Sequence, residues 1–298
     1  MKIDGHSGAL AELAATHAPR TGYNPTALDG VRFLRSDTVL EDVPVLYRPG
    51  AVFVLRGAKQ GFLDGAVYRY DTDHYLAVSL PVPFRMASQA DRDAPLLAIY
   101  VDFDLRLAAE IANMLSKSGV IQPPAPAKSL VSSRMTPSLR DVLRRMLLAL
   151  RDPVELAVIG PGLMRELHFR ILTGPQGGAL MAALQHEGPT AKIVESLVRI
   201  RDSYNTRLTV PGLAAAAGMS VPSFHAHFKA LTGNAPMQYV KAIRLHEARL
   251  MIVRQVGTVS LISEKVGYAS PAQFSRDFRR HFGRSATEEA KWMREHLG

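Results

Sequence analysis

The sequence predicts an α+β protein with a β-rich N-terminal region, a set of helices, and an all-α C-terminal domain. Three observations lead to this prediction. Between Val31 and Val101, short apolar runs are separated by Gly, Pro and Asp, which is typical of an antiparallel sandwich or small barrel. From Leu105 onward the apolar residues recur at helical spacing. The C-terminal third contains the same helical unit twice, at an offset of 50 residues.

The β-rich region is preceded by a short helix, which we expect over Ala9–Ala15. Four apolar runs inside the region predict individual strands: Val52–Leu55, Ala66–Tyr70, Tyr75–Leu80 and Leu96–Val101. No helical pattern separates these runs, so parallel βαβ units are disfavoured. The strands are therefore expected to pair antiparallel.

Helices follow the last of these strands. Apolar residues from Leu107 to Leu115 share one helical face up to Gly119, and a Pro-rich loop containing Pro123, Pro124 and Pro126 comes next. Three further helices are predicted: Ser138–Leu150, Pro161–Leu172 and Ala179–Leu184. These helices either cover the β-rich region or form a dimerisation surface. We place a linker at 186–190 (HEGPT), which divides the chain into domains 1–185 and 190–298.

Charge is distributed unevenly between these two domains. The chain carries a formal net charge of +9, and residues 190–298 hold 16 Lys and Arg against 8 Asp and Glu. A basic domain beside a nearly neutral one indicates either a polyanionic partner or a solvated basic face. Cysteine is absent, which excludes disulfides, thiolate metal sites and cysteine nucleophiles. With no membrane-length apolar run and no signal-peptide pattern, a cytoplasmic location is the default expectation.

The repeat in the basic domain has the features of a helix-turn-helix. Four positions recur: Ser220, Phe224, Phe228 and Gly233 return as Ser270, Phe274, Phe278 and Gly283. Each unit begins with a helical stretch that ends in a glycine, Gly218 or Gly267, which suits a tight turn. The serines occupy N-cap positions, and Pro222 and Pro271 lie in the first turn that follows. Because the phenylalanines are four apart, each pair shares the inward face of its helix. A plain helical hairpin repeated for packing is the alternative.

The outward faces of the second helices carry polar and basic residues that suit the major groove of double-stranded DNA. They are His225, Ala226 and Lys229 in the first unit, and Gln273, Ser275, Arg276 and Arg279 in the second. A helix over Pro236–Val253 would hold the two units at a fixed separation. Successive major-groove entries lie ~34 Å apart, so the protein is expected to contact one face of the duplex.

These residues carry a resemblance to a known family. The pattern Ser220-x3-Phe224-x3-Phe228-Lys229-x3-Gly233, then Arg244-x3-Ala248, then Gly267-Tyr268-x-Ser270-x3-Phe274-x3-Phe278-x4-Gly283, resembles the DNA-binding domain of AraC/XylS-type regulators. N-terminal patterns that include Pro44-x2-Tyr47-x-Pro49, Gly57-x-Lys59 and Arg165-Glu-Leu-x-Phe-Arg170 resemble one branch of that family. The resemblance implies a cupin-like barrel followed by accessory helices and two helix-turn-helix units.

The resemblance also implies which residues contact bases. They are Pro222, His225 and Ala226 in the first unit, and Pro271, Ala272, Gln273, Ser275 and Arg276 in the second. Arg276 is the strongest candidate, because a guanidinium group pairs bidentately with guanine. After Gly283 the chain departs from the family pattern, with Ala286, Glu289 and Ala290 in place of a proline and a Tyr-Arg pair. The packing of the last helix is therefore open.

A small-molecule effector is expected in the barrel, where the candidate pocket residues are Tyr47, Phe53, Arg56, Tyr70 and Tyr100. Two basic pairs, Arg32 with Arg35 and Arg56 with Lys59, bind either an anionic effector or surface carboxylates, and we favour the carboxylates. No cofactor or metal is expected, because residues 31–101 contain a single histidine, His74, and a metal cupin needs several converging ligands. Other candidate partners are RNA polymerase and a second copy of the chain, as in a homodimer.

Two alternatives to an effector-controlled regulator stay open. In the first, the barrel binds no ligand and only dimerises. In the second, the barrel is an enzyme fused to a DNA-binding domain. The second is disfavoured, because alkyl-transfer repair proteins with similar DNA-binding domains need cysteine acceptors and the barrel lacks the residues of a hydrolase or metal oxygenase. The sequence thus favours a regulator over an enzyme.

Overall fold

The computed structural model describes residues 5–90, 93–118, 126–175, 177–184 and 188–296. Its strands are β1 (Gly22–Pro25), β2 (Val31–Ser36), β3 (Leu40–Leu46), β4 (Gly50–Arg56), β5 (Ala58–Leu63), β6 (Ala66–Asp71), β7 (His74–Val78), β8 (Pro83–Gln89), β9 (Leu96–Asp102) and β10 (Leu130–Arg134). They form one antiparallel sheet in the order β1-β2-β9-β4-β7-β6-β5-β8-β3, with β10 added to β7. The predicted antiparallel β structure is confirmed and has the form of a half barrel, and all four individually predicted strands are present.

Helices precede, cover and follow the sheet. They are α1 (Gly5–Thr16), α2 (Leu105–Lys117), α3 (Pro137–Ala149), α4 (Pro153–Leu172), α5 (Gly177–Leu184), α6 (Gly188–Ser203), α7 (Val210–Ala216), α8 (Val221–Thr232), α9 (Pro236–Val253), α10 (Val259–Lys265), α11 (Pro271–Phe282) and α12 (Ala286–His296). The α+β class with an all-α C-terminal region is therefore confirmed. Within the described ranges, no helix combines the length and apolar character that a membrane span requires.

One predicted helix boundary was wrong. The fourth helix begins at Pro153 rather than Pro161, because the Asp152 side chain accepts hydrogen bonds from the amides of Val154 and Glu155 and caps the helix there. Pro161 lies inside this helix. Of the predicted linker at 186–190, residues 188–190 belong to α6. Residues 186 and 187 lie outside the described ranges, as do Gly119, Pro123 and Pro124.

Both faces of the sheet are buried, and they pack against different helices. On one face Phe53, Tyr75 and Ile99 pack against the helices that cover the barrel. The other face contributes to a second core that continues into the C-terminal helices, where Phe224 and Tyr239 belong to the same cluster. The second helix-turn-helix unit has a core of its own. The division at 185/190 remains a prediction.

A seam of direct contacts joins the barrel to the first helix-turn-helix unit. The Tyr239 hydroxyl donates a hydrogen bond to the Pro81 carbonyl at 2.6 Å, and the Asn234 side-chain amide donates to the Pro83 carbonyl at 3.3 Å. Gly233 has φ +69°, and a Cβ atom there would lie 2.7 Å from Leu63. Glycine is required at this position both for the left-handed turn and for the close approach of β5. The seam holds the C-terminal domain against the barrel.

Candidate nucleic-acid interface

The first helix-turn-helix consists of α7 and α8, and its turn has the predicted chemistry. Gly218 adopts φ +60° between the two helices. The Ser220 hydroxyl then accepts a hydrogen bond from the Ser223 amide at 3.4 Å and caps α8. Phe224 and Phe228 are fully buried, with ring centroids 5.5 Å apart. The Ser220 cap fixes where α8 begins. Burial of Phe224 and Phe228 determines which face of α8 is exposed.

The second unit, α10 and α11, repeats this construction. Gly267 adopts φ +85°, and a Cβ atom there would lie 2.6 Å from the backbone oxygen of Asn205. The Ser270 hydroxyl accepts from the Gln273 amide at 3.3 Å. Phe274 and Phe278 are fully buried, with centroids 5.4 Å apart. The doubled helix-turn-helix predicted from the repeat is confirmed in its geometry.

The predicted base-contacting side chains lie on the exposed faces of α8 and α11. The exposed residues are Pro222, His225, Ala226 and Lys229 on α8, and Pro271, Ala272, Gln273, Ser275, Arg276 and Arg279 on α11. Ser220 and Ser270 act as helix caps. The Ser275 hydroxyl donates to the Pro271 carbonyl at 2.9 Å, and Lys229 lies 3.7 Å from Asp64 of the β5–β6 turn. The DNA contacts themselves remain predictions.

Arg244 on α9 connects the two units, a role that sequence reasoning missed. Its guanidinium donates to the carbonyls of Tyr204 and Thr206, each at 2.7 Å, and to the Gly267 carbonyl at 3.0 Å. Lys241, also on α9, forms an ion pair of 2.8 Å with the buried Asp277 of α11. The Arg244-x3-Ala248 spacing was the only sequence signal of this role. Through these contacts α9 sets the relative position of α8 and α11.

The last helix packs on α9 through a buried ion pair. Glu289 forms an ion pair with Arg249, whose Nη2 atom lies 2.5 Å from Oε1, and it accepts a hydrogen bond from Arg284 at 2.9 Å. The side chains of Glu289 and Arg249 are only 2% and 8% exposed. Burial lowers the pKa of Arg249, while the Glu289 carboxylate raises it. Ala286 and Ala290 are buried on the same side of α12. The departure from the family pattern therefore coincides with a specific way of docking the last helix.

A histidine pair lies beside this ion pair. Nε2 of His246 on α9 and Nε2 of His281 on α11 are 3.3 Å apart. Burial lowers the pKa of His281 to about 4, helped by the cations Arg85, Arg249 and Lys241. Burial also lowers the pKa of His246 well below its usual range. Both rings are therefore neutral near pH 7 and act as packing groups. No cluster of three metal-ligating side chains occurs among the described residues.

The candidate effector residues do not all meet in one place. Tyr47, Tyr70 and Tyr100 belong to the core on the inner face of the barrel, and the Tyr47 and Tyr100 hydroxyls lie 3.3 Å apart. Phe53 points to the opposite face, where it stacks on Tyr75. Arg56 pairs with Glu12 of α1 at 3.3 Å. Phe53 and Arg56 therefore lie outside the barrel interior, because alternation along β4 turns Phe53 to the helix-covered face.

Lys59 corrects a second expectation. It was expected to meet a surface carboxylate, but it is only 1% exposed and donates a hydrogen bond to the Tyr100 hydroxyl at 2.8 Å. Burial lowers its pKa to about 7. Arg32 does follow the surface prediction, with Asp102 at 2.8 Å. In β5 alternation places Lys59 on the inner face together with Gly61 and Leu63, and that pattern was the available signal.

Two family models match the chain over the elements described above. A model of the AraC-type transcriptional regulator N-terminus matches residues 27–179, which include most of the half barrel and helices α2–α4. A helix-turn-helix domain model matches residues 213–291. The chain belongs to the AraC family of transcription regulators. Both matched families are those of regulators and not of enzymes.

Individual AraC-type relatives match about 30% of this chain. The lactose operon transcription activator of Staphylococcus xylosus is 32% identical over 89 residues, which are 30% of this chain and 32% of that protein. RclR of Escherichia coli K12, an RCS-specific HTH-type transcriptional activator, is 37% identical over 87 residues, or 29% of this chain and 31% of that protein. The matched stretch thus spans about a third of each relative.

The solved structures with similar folds extend over both domains. ToxT from Vibrio cholerae, in its form with bound unsaturated fatty acid, has a TM-score of 0.58 at 10% identity and covers 88% of this chain and 93% of ToxT. A second ToxT structure has a TM-score of 0.56 at 9% identity, covering 88% and 98%. At this identity the likeness shows the fold. That fold is a cupin-like half barrel joined to a double helix-turn-helix domain.

Proposed function

We propose that this AraC-type protein binds specific DNA sequences with α8 and α11 and thereby controls transcription. The observation that carries the proposal is the pair of capped helices whose buried phenylalanines turn polar and basic residues outward. His225 and Lys229 in the first unit, and Gln273 and Arg276 in the second, are exposed and suited to base edges and phosphates. Because α9 connects the units rigidly, the two helices enter successive major grooves on one face of the duplex.

Selection from random duplexes tests this function. The full chain is incubated with a pool of random double-stranded DNA, and the tightest-binding duplexes are recovered and sequenced. We expect a site with two short conserved blocks about one helical turn apart. Recovery of no common sequence, with binding that only falls steeply as salt rises, would mean that the basic domain binds polyanions in general.

We propose further that a small molecule in the barrel modulates DNA binding. Tyr47, Tyr70 and Tyr100 provide an aromatic interior with polar groups, as small-molecule sites do. ToxT, which has a similar fold, has been solved with an unsaturated fatty acid bound. The inner face shares its core with the first helix-turn-helix unit, so a ligand that displaces these rings shifts the seam at Tyr239 and Gly233. A barrel that serves only for dimerisation is the second candidate.

We also propose that the protein forms a homodimer through α4. Val154 and Val158, one turn apart, are each 74% exposed, and Gly162 continues the same stripe without a side chain. In an antiparallel pair of α4 helices crossing at Gly162, Glu155 of one copy would face Arg170 of the other, an attractive pairing. Val158→Asp is expected to convert a dimer into a monomer in sedimentation velocity. A monomeric wild type at tens of micromolar, or an unaltered Val158→Asp dimer, would contradict this interface.

Two further parts of the functional prediction come from the sequence and the family. They are contact with RNA polymerase and residence in the cytoplasm.

A further inference from the structure

Three polar side chains form a row across the inner face of the half barrel. In the strand register Lys59 of β5 lies opposite Tyr70 of β6 on one side and opposite Ser88 of β8 on the other. All three are buried, with exposures of 1%, 0% and 3% in that order. Polar groups buried this deeply are normally paired, so their partners are informative.

The hydrogen-bonding capacity of this row is largely unused. The hydroxyl groups of Tyr70 and Ser88 have no partner with hydrogen-bond geometry in the described structure, although the Tyr47 phenol is close to that of Tyr70. Lys59 bonds only to Tyr100 and lies 5.5–6.0 Å from the ring centroids of Tyr47, Tyr70 and Tyr100. It has no ion pair with a carboxylate within the described ranges. The interior therefore holds an ammonium group with one neutral acceptor and no countercharge, and two hydroxyl groups without a hydrogen-bond partner.

We propose that Lys59, Tyr70 and Ser88 bind the carboxylate group of a small, otherwise apolar ligand. A single ammonium group neutralises a single negative charge. The second charge of a dianion would be buried in an apolar environment without a counterion. The remaining wall consists of tyrosine rings and aliphatic side chains, which suit an apolar body. The inference rests on the proposed effector control and names the chemical class of the effector.

A cleft near the edge of the sheet borders two members of this row, Lys59 and Ser88. The cleft has a volume of about 310 Å³. Its lining consists of Val39 and of residues from β3, β5, β6 and β8, which include Lys59 and Ser88. Such a volume lies at the lower end of the range for small-molecule sites. The charged residues of its lining besides Lys59 are Glu41 and Arg69, and Arg69 is held by Asp71 at 2.6 Å. A small carboxylate in this cleft would lie against the strands that carry Lys59 and Ser88.

Binding of a carboxylate is expected to take up a proton. Burial lowers the pKa of Lys59 to about 7, and a bound anion would raise it again. Affinity is therefore highest below pH 7 and falls as pH rises through 7, by about tenfold between pH 6 and pH 8. The phenols around Lys59 have pKa values raised by burial and stay neutral: Tyr23, Tyr47, Tyr70 and Tyr100. The charged groups beyond them are paired: Arg32 with Asp102, and Arg249 with Glu289.

Calorimetric titration of the full chain tests the site. The probes are hexanoate and cyclohexanecarboxylate, each compared with its neutral amide, at pH 6 and pH 8. We expect the wild type to bind at least one carboxylate, with the tenfold pH effect and without comparable binding of the amide. Lys59→Met, which keeps the length of the side chain, should lose at least about tenfold in affinity. Tyr70→Phe should lose less, and Lys117→Met, at an exposed lysine of α2, should bind as the wild type does.

Three results would overturn the inference: neither carboxylate binds the wild type, an amide binds as well as its acid, or Lys59→Met binds unchanged. Thermal unfolding checks the fold of Lys59→Met, which should be at least as stable as the wild type because an apolar group replaces a desolvated amine. Operator binding on the same samples separates the proposals. If the protein binds its operator but no carboxylate, the proposed DNA-binding function stands and the proposed carboxylate site is wrong. If a carboxylate binds through Lys59 but operator affinity does not change, the carboxylate site is supported and the proposed effector control is contradicted.

Discussion

Replacing Arg276 with alanine should lower affinity for the selected operator by ~1–3 kcal/mol and remove the preference at one base pair. Arg276 is exposed on α11, between the buried Phe274 and Phe278 in sequence, and forms no ion pair within the described part of the chain. Its guanidinium is therefore free to pair with the O6 and N7 atoms of a guanine. Titrations against the operator and a set of single-base-pair variants measure both effects.

Arg279→Ala is the matched control for this prediction. Arg279 lies three residues further along the same helix and is also exposed. If Arg279 contacts a phosphate, its replacement should weaken binding to all sequences about equally. It should also reduce the slope of log affinity against log salt concentration by about one. If Arg276→Ala behaves in this same uniform way, Arg276 contacts the backbone and another residue determines specificity. Unchanged binding would remove Arg276 from the interface altogether.

Glu289→Gln should destabilise the protein by about 3 kcal/mol or more, because it leaves the buried Arg249 without its countercharge. The Glu289 carboxylate is 2% exposed and forms ion pairs with both Arg249 and Arg284. Arg249 also donates to the Pro44 carbonyl of β3 at 3.5 Å, so the same group connects α9, α12 and the barrel. Urea-induced unfolding, followed by circular dichroism, gives the difference in free energy.

Glu295→Gln provides the comparison, since Glu295 pairs with Lys291 on the exposed side of α12 at 3.9 Å. An exposed pair of this kind should change stability by less than ~0.5 kcal/mol. Equal and small losses in the two variants would show that Arg249 finds solvent or another acceptor when Glu289 is neutral. Operator binding by folded Glu289→Gln would further test whether α12 affects the DNA-contacting helices.

The two helix-turn-helix units were predictable from sequence because their signals are local. A glycine with positive φ at Gly218 or Gly267, a capping serine at Ser220 or Ser270, and two phenylalanines four residues apart act within one turn and one helix. These features depend on neighbouring residues and on no distant contact. The long helix between the units was predicted with its observed limits for the same reason.

Pairings between distant segments were less accessible. The β-rich region was recognised, but strands such as β3 and β8, which pair with each other at one edge, were not assigned individually. The alternation of side chains along a strand assigns them to two faces of the sheet, but it does not show which helices or strands cover each face. Phe53 was therefore grouped with Tyr47 and Tyr70, although it faces the helices on the other side of the sheet. Pro161 was taken as a helix start, whereas the cap at Asp152 begins the helix earlier.

The sequence was sufficient to predict the two helix-turn-helix units and the residues on the outward faces of α8 and α11, since these follow from local geometry and side-chain chemistry. The AraC-type architecture was implied by the resemblance to that family. Only the tertiary structure decided that Lys59 is buried among tyrosines rather than paired at the surface, and that Glu289 holds the last helix on Arg249. The physical reason is that burial is set by what packs on top of a residue. For Lys59 and Glu289 the packing partners come from strands and helices far away in the chain.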